Sequence, residues 1–272
     1  MMNYQDFRNR LFEEVEEGYR DFVLTGIISE RPLLGVRVPK CREIAKEILD
    51  GKFGGADAAI EGPAARLKNA EEFLKNEPVA FEEVAVRGYV IAALPYEEMV
   101  KRMYDFIQLI DNWEICDTFC AAMGKNIKRH REEFLSEIDK MIRSLDEFQT
   151  RVAYVCLLDH YIMDGYFAVV VDRINEISEF LSEGPGELSV VREKNGMGGV
   201  YKGSVIAWDA YYVKMAVAWL VSILFVKYPD ETLVWFKGCK LPTWTYNKAI
   251  AKTCESLRVD KDLKKELKKL KR

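Results

Sequence analysis

Apolar residues recur at three- and four-residue spacing along nearly the whole of this 272-residue chain, and period-two alternation closed by hairpin turns is almost absent. The pattern predicts an all-α protein. Helices are expected near 3–24, 39–50, 63–76, 79–94, 95–110, 112–123, 128–144, 146–163, 165–182, 208–227, 229–237 and 243–257. Pro39, Pro63, Pro95 and Pro229 fall where a first-turn proline is tolerated, because the N–H it lacks has no partner there. The helices come in pairs, and units beginning near 95, 128 and 165 are 33 and 37 residues apart, close to the period of stacked helical hairpins. The expectation is one domain over 1–272, a superhelical array of antiparallel helix pairs. Residues 183–206, EGPGELSVVREKNGMGGVYKGSVI, break the rhythm and read as an inserted loop or small hairpin. Their GMGG lacks the strand, helix and distant acid that a nucleotide-binding fingerprint needs.

Composition narrows the class. With 49% hydrophobic and 12% aromatic residues the chain can bury a substantial core. The first twenty residues are too polar and acidic for a signal peptide, and the longest apolar run, 215–226, is too short to cross a bilayer. A cytoplasmic, membrane-free monomer is expected. The six cysteines include no C-x-x-C pair and read as reduced, mostly buried thiols. Cys116 and Cys120 share a helix face, yet neither His130 nor His160 stands at a recognised ligand spacing, so no metal site is expected. The net charge is −4, but residues 258–272 alone carry +5, which leaves −9 on the rest. That acidity argues against indiscriminate binding to polyanions while leaving room for a local basic groove. The basic tail alternates Leu263, Leu267 and Leu270 with lysines and predicts an amphipathic C-terminal helix over 259–272, a solvated face being favoured over a nucleic-acid arm.

Candidate chemistry centres on 111-DNWEICDTFC-120. Asp111 is expected to cap a helix and Glu114 to reach back to it as a capping box. Trp113 and Asp117, four apart, are neighbours on one face, and Ile115, Phe119 and Ala122 cover much of the rest. A helix apolar on most sides is buried on most sides, so Asp117 needs either a cationic partner or a chemical role. Arg151, on an apolar stripe with Phe148, Val155 and Leu158, is one such partner, and a structural ion pair is the simpler reading from spacing alone. Trp219 follows Tyr212 and Met215 along one face of 211-YYVKMAVAWLVSILF-225, an ordinary core position.

Taken together, 34-LGVRVPKCREIAKEI-48, 81-FEEVAVRGYVIAAL-94, the W-x-x-x-D of DNWEICD, the arginine of FQTRVAYV and the tryptophan of VKMAVAW resemble the AlkD-type DNA alkylation repair family. These are DNA glycosylases and relatives built from HEAT-like helical repeats. The resemblance spans about Leu34 to Tyr246. It implies that Trp113 and Trp219 are the aromatic pair contacting the damaged nucleotide's sugar, that Asp117 is the catalytic carboxylate and that Arg151 contacts DNA at the lesion. It also implies excision of positively charged N3- or N7-alkylated purines from duplex DNA without a cofactor. Such a base leaves with little need of an acid, so the protein's task is to stabilise an oxocarbenium-like sugar and position water. Phosphate contacts need cations on one concave side. Lys125, Lys128 and Arg129 in a loop after the motif helix are candidates, as is Arg37 in LGVRVP, with Arg31, Lys40 and Arg42 nearby. A solvated basic loop is the competing reading. Two other functions stay open: a non-catalytic helical-repeat binder of damaged or branched DNA, and a protein-interaction scaffold.

Overall fold

The computed structural model describes residues 3–54, 62–184 and 210–272. Among them it holds fifteen α-helices and no β-strand; isolated bridge residues occur, including an antiparallel bridge between Val15 and Val36. The chain divides into two compact units, Met1–His130 and Arg131–Arg272. Most of the inserted segment 183–206 lies outside the described residues.

The first unit is a row of helix pairs. α1 (Tyr4–Phe12) and α2 (Glu17–Val23) precede α3 (Val38–Leu49), α4 (Gly62–Leu74), α5 (Phe81–Ala92), α6 (Tyr96–Ile107), α7 (Trp113–Ala122) and α8 (Gly124–Arg129). α3, α5 and α7 lie side by side, while α4 packs on α3 and α6 on α5. The single helix expected over 3–24 is broken at residues 13–16, where Val15 bridges Val36 and the Glu16 N–H donates to Gly35 O at 3.0 Å. No proline or glycine marks that break, because a tertiary contact makes it. Gly35 sits at φ +98°, and a Cβ there would lie 2.6 Å from Glu16 O, so only glycine fits the turn. Glu82 holds the same turn from the other side. Its buried carboxylate accepts from Leu34 N at 2.9 Å, Gly35 N at 2.7 Å and Val36 N at 3.1 Å.

Gly88 lets α5 and α6 approach closely, since a Cβ there would come within 2.7 Å of Phe106 Cζ. Phe106 in turn meets Phe119 of α7 with ring centroids 4.6 Å apart. One aromatic side chain thus joins three helices.

The second unit runs α9 (Arg131–Ser144), α10 (Glu147–His160), α11 (Phe167–Ser178), α12 (Tyr211–Lys227), α13 (Pro229–Gly238), α14 (Thr243–Glu255) and α15 (Lys261–Lys269). α12, apolar on nearly every side, packs against α10, α13 and α14, as a helix without a polar face must. Its Lys214 is fully buried and donates from Nζ to Gly184 O at 2.9 Å and to Ser182 Oγ. α15 forms where the basic tail predicts it, with Asp260 as N-cap and Leu267 buried. Arg272 then stacks on Tyr246 at 3.9 Å and donates to the carbonyls of Leu241 and Cys239. No helix among the described residues is long and apolar enough to cross a membrane.

Candidate nucleic-acid interface

The cap of α7 is not the expected one. Asn112, not Asp111, accepts from the Ile115 N–H at 3.1 Å, and it is fully buried. Asp111 serves a different contact, accepting from Ser29 Oγ and Glu30 N at 2.8 Å each and facing Arg31 at 3.5 Å. Either side chain is a competent cap, and the demand of the 29–31 loop for an acceptor decides between them. Without Asp111 as a partner, the expected capping box does not form. The Glu114 carboxyl has no hydrogen bond or ion pair among the described residues. Burial and then the nearby Glu82 carboxylate push its pKa up.

α7 divides lengthwise. Ile115, Cys116, Phe119 and Cys120 are buried, whereas Trp113 and Ala121 are exposed and Glu114, Asp117, Thr118 and Ala122 are half-buried. The expectation that Asp117 lies on the helix's buried side is therefore corrected: it lies on the open half. Trp113, Ala121 and Ala122 are apolar but do not face the core, so counting apolar residues overstates how much of the helix is enclosed. Trp113 is 41% exposed, and its indole N–H donates to Gly26 O at 3.1 Å, which fixes the ring beside the turn after α2.

The open half of α7 leads into a groove of about 960 Å³ within the first unit. Ala121 and Ala122 form part of its wall, and Lys125 and Arg129 of α8 extend it. The 125–131 segment, expected as a loop, is thus helical up to Arg129 before α9 begins at Arg131. From α3 come Arg42 and Lys46, one turn apart, and from α4 comes Arg66. Five cationic side chains line the groove, and among the described residues no acidic one does.

These cations differ from those elsewhere in the unit. Arg8 is held by Glu83 at 2.9 Å, Arg10 by Glu14 at 2.6 Å, Arg37 by Glu16 through two 2.8 Å bonds, and Lys40 by Glu43 at 3.2 Å. In the groove Arg66 meets Asp50, but Arg42, Lys46, Lys125 and Arg129 have no carboxylate partner among the described residues. Asn126 adds a further adjustment. Its side-chain amide donates to Ala92 O at 3.1 Å and Leu94 O at 2.8 Å, covering carbonyls at the C-terminal end of α5 that would repel an anion.

The sequence-derived candidates fall into three groups. Trp113, Asp117, Lys125 and Arg129 follow one another along α7 and α8, with Lys128 exposed beside them but outside the groove lining. Arg37 is exposed and committed to Glu16. Arg151 and Trp219 belong to the second unit. There Arg151 is buried, donates to Tyr212 O at 2.8 Å and lies 5.6 Å from the Tyr212 ring, while Trp219 is half-buried two turns further along α12. Glu147 accepts from Tyr212 N at 2.8 Å, so α10 holds the first turn of α12 by both of its backbone groups. Sequence reasoning did not single out Lys46, Arg66 or Tyr89. The i, i+4 pairing of Arg42 and Lys46 is a readable signal, but nothing in the apolar run around Tyr89 marks it.

Neither a curated protein nor a solved structure matches the chain. A family model described as DNA alkylation repair enzyme matches residues 7–181, a span that takes in Arg37, Trp113, Asp117, the groove and Arg151 but stops short of Trp219. With well over half of its length matched, and with a helical-repeat fold presenting a carboxylate and a cationic groove, the chain belongs to the DNA alkylation repair enzyme family, of which AlkD is a member.

Proposed function

We propose that the protein is a DNA glycosylase that releases positively charged N3- or N7-alkylated purines from duplex DNA, leaving an abasic site. The observation that carries this reading is the course of α7 and α8, where Trp113 and Asp117 lie on the open half of a helix that runs directly into a groove lined by five cations, four of them without a carboxylate partner among the described residues. A duplex whose phosphates lie in that groove brings its sugars toward the same face. The alkylated base already carries its positive charge and departs with the glycosidic electron pair. Positive charge then develops on the sugar, and Asp117 answers it electrostatically while orienting the attacking water. The Trp113 indole, anchored through its N–H to Gly26, offers π density to the same developing cation. Trp219 and Arg151 enter the reading through the family resemblance, as the second aromatic and the lesion-side DNA contact.

Incubation with a 7-methylguanine duplex should give free 7-methylguanine and an alkali-labile abasic site. The absence of release at high protein excess would remove the catalytic claim and leave a DNA-binding member of the family. Asp117→Asn is expected to lower the single-turnover rate by about a hundredfold or more while changing duplex affinity little, because the carboxylate acts chiefly in the transition state.

A further inference from the structure

The basic tail that forms α15 spends its acids on the fold and leaves most of its cations over. Residues 258–272 hold eight lysines and arginines against three acids, and each acid is engaged. Asp260 caps the helix, accepting from Asp262 N at 2.7 Å and Leu263 N at 3.3 Å. Asp262 meets Lys265 at 2.8 Å, and Glu266 meets Lys237 of α13 at 2.7 Å. By contrast, Arg258, Lys261, Lys264, Lys268, Lys269 and Lys271 have no carboxylate partner among the described residues.

The helix gathers these charges on one side. At 3.6 residues per turn, Lys261, Lys264, Lys265, Lys268 and Lys269 fall within one strip of about 140°, opposite Leu263, Leu267 and Leu270. Lys264 is half-buried and the other four lysines are exposed, while Leu267 is fully buried and the other two leucines half-buried. Such crowding weakens a helix, because Lys261 and Lys265, Lys264 and Lys268, and Lys265 and Lys269 are like charges four residues apart. Even so, α15 is pinned. Cys254 Sγ of α14 donates to Lys264 O at 3.9 Å. Beyond the helix, Arg272 N donates to Asn247 Oδ1 at 3.0 Å and Asn247 Nδ2 donates to Arg272 O at 2.7 Å. The lysines are displayed on a fixed helix, not on a loose tail.

We propose that this face of α15 is a second DNA-contacting surface, which grips the phosphate backbone of a duplex by charge alone. The inference rests on the DNA-directed reading above and adds a contact outside the span that the family model matches, which ends at residue 181. Charge complementarity selects the occupant. Lysine is a compact point charge that suits phosphate and carries no base readout in that role. From Lys261 to Lys269 the strip is about 12 Å long, enough to face three or four phosphates of one strand at about 3.4 Å of rise each. A polyanion there relieves the crowding that the helix's own acids leave. The strip offers no apolar or aromatic side chain of the kind that anchors a protein interface, where lysine is depleted. Its contribution is to affinity, not to lesion choice or to the chemistry at Asp117.

The test is fluorescence anisotropy of an undamaged duplex titrated with the full-length protein over a range of salt concentrations. One variant combines Lys261→Gln, Lys264→Gln, Lys268→Gln and Lys269→Gln, and a second changes the same four residues to arginine. A control changes Lys52, Lys75, Lys140 and Lys227, each paired with an acid, to glutamine. The α15 glutamine variant should keep or raise the melting temperature, since it removes like-charge pairs and retains good helix formers. Its slope of log affinity against log salt should fall by about three to four, with at least a roughly tenfold loss of affinity at moderate salt. The arginine variant should match the wild type, and the control should change the slope by less than about one. An unchanged slope, or an equal loss in the control, would overturn the surface and leave the glycosylase reading to stand on base release by the wild type. A wild type that binds no duplex at low salt would sink both. If the combined variant is unstable, Lys268→Gln and Lys269→Gln, each made alone, carry the same test with an expected drop of about one apiece. Binding of poly-glutamate that depends on these lysines, with duplex binding that does not, would assign the face to an acidic protein and equally overturn the proposal.

Discussion

Two regions of the first unit use the same residue types to opposite ends. Around α1, α3 and the 29–36 loop, arginines, lysines and glutamates are matched against one another, as in Arg8–Glu83, Arg10–Glu14, Arg37–Glu16 and the three N–H groups on Glu82. Along the groove, Arg42, Lys46, Lys125 and Arg129 have no carboxylate partner among the described residues. Polar groups that serve the fold are satisfied within it, whereas groups kept for a ligand are left with bonding capacity. The contrast separates Arg37 from Arg42, which are five residues apart and equally basic in the sequence.

The sharpest way to break this contrast is to remove a satisfied group. Glu82→Ala strands three buried or part-buried N–H groups at a turn that only Gly35 can make, and should cost about 3 kcal/mol of unfolding free energy by chemical denaturation. Unchanged stability would show that the loop does not depend on Glu82. Removing groove charges should do the reverse. Lys125→Gln with Arg129→Gln should leave stability within about 0.5 kcal/mol, since neither has a carboxylate partner. It should lower the salt slope of duplex binding by about two. Arg37→Gln, whose charge is committed to Glu16, should change duplex affinity less than Arg42→Gln does. Equal losses would return Arg37 to the set of candidate phosphate contacts read from the sequence.

The smallest expected effect belongs to Glu114. Burial and Glu82 raise its folded-state pKa above the ordinary 4.5, so the folded protein keeps a proton that the unfolded chain releases. Stability should therefore decline as pH rises from about 4.5 through the raised value. Glu114→Gln, which cannot ionise, should flatten that part of the melting-temperature profile. An identical profile would mean that the carboxyl is better solvated than its surroundings imply.

How far the sequence foretold these features depended on whether local or distant contacts decided them. The helices and their pairing were legible because three- and four-residue periodicity reports burial directly, and the amphipathic tail formed α15 for the same reason. The break between α1 and α2 was not, because Val15 and Glu16 are drawn out of the helix by Val36 and Gly35 from a later part of the chain. α8 read as a loop because its single buried residue, Ile127, gives no period to detect. The exchange of Asp111 for Asn112 as cap turned on a demand from Ser29 and Glu30, 82 and 81 residues away. For the site, Trp113 and Asp117 were marked by their spacing and by resemblance. Tyr89 was hidden in a run where a tyrosine looks like any other core aromatic, and only the packing of α5 against its neighbours places it in the groove wall.

Gly88 gives the groove a control point on its opposite side. The residue faces Phe106 of α6, and its missing side chain is what lets that ring press against α5 and reach Phe119. Tyr89 is its immediate neighbour. A single methyl group at 88 would push α5 off α6 by a few tenths of an ångström or more, and a rigid helix would carry that shift to the phenol on its other face. Changes in DNA grip could thus arise from substitutions in the interior lining of the repeat, and a screen for altered binding confined to the visible surface would pass over them.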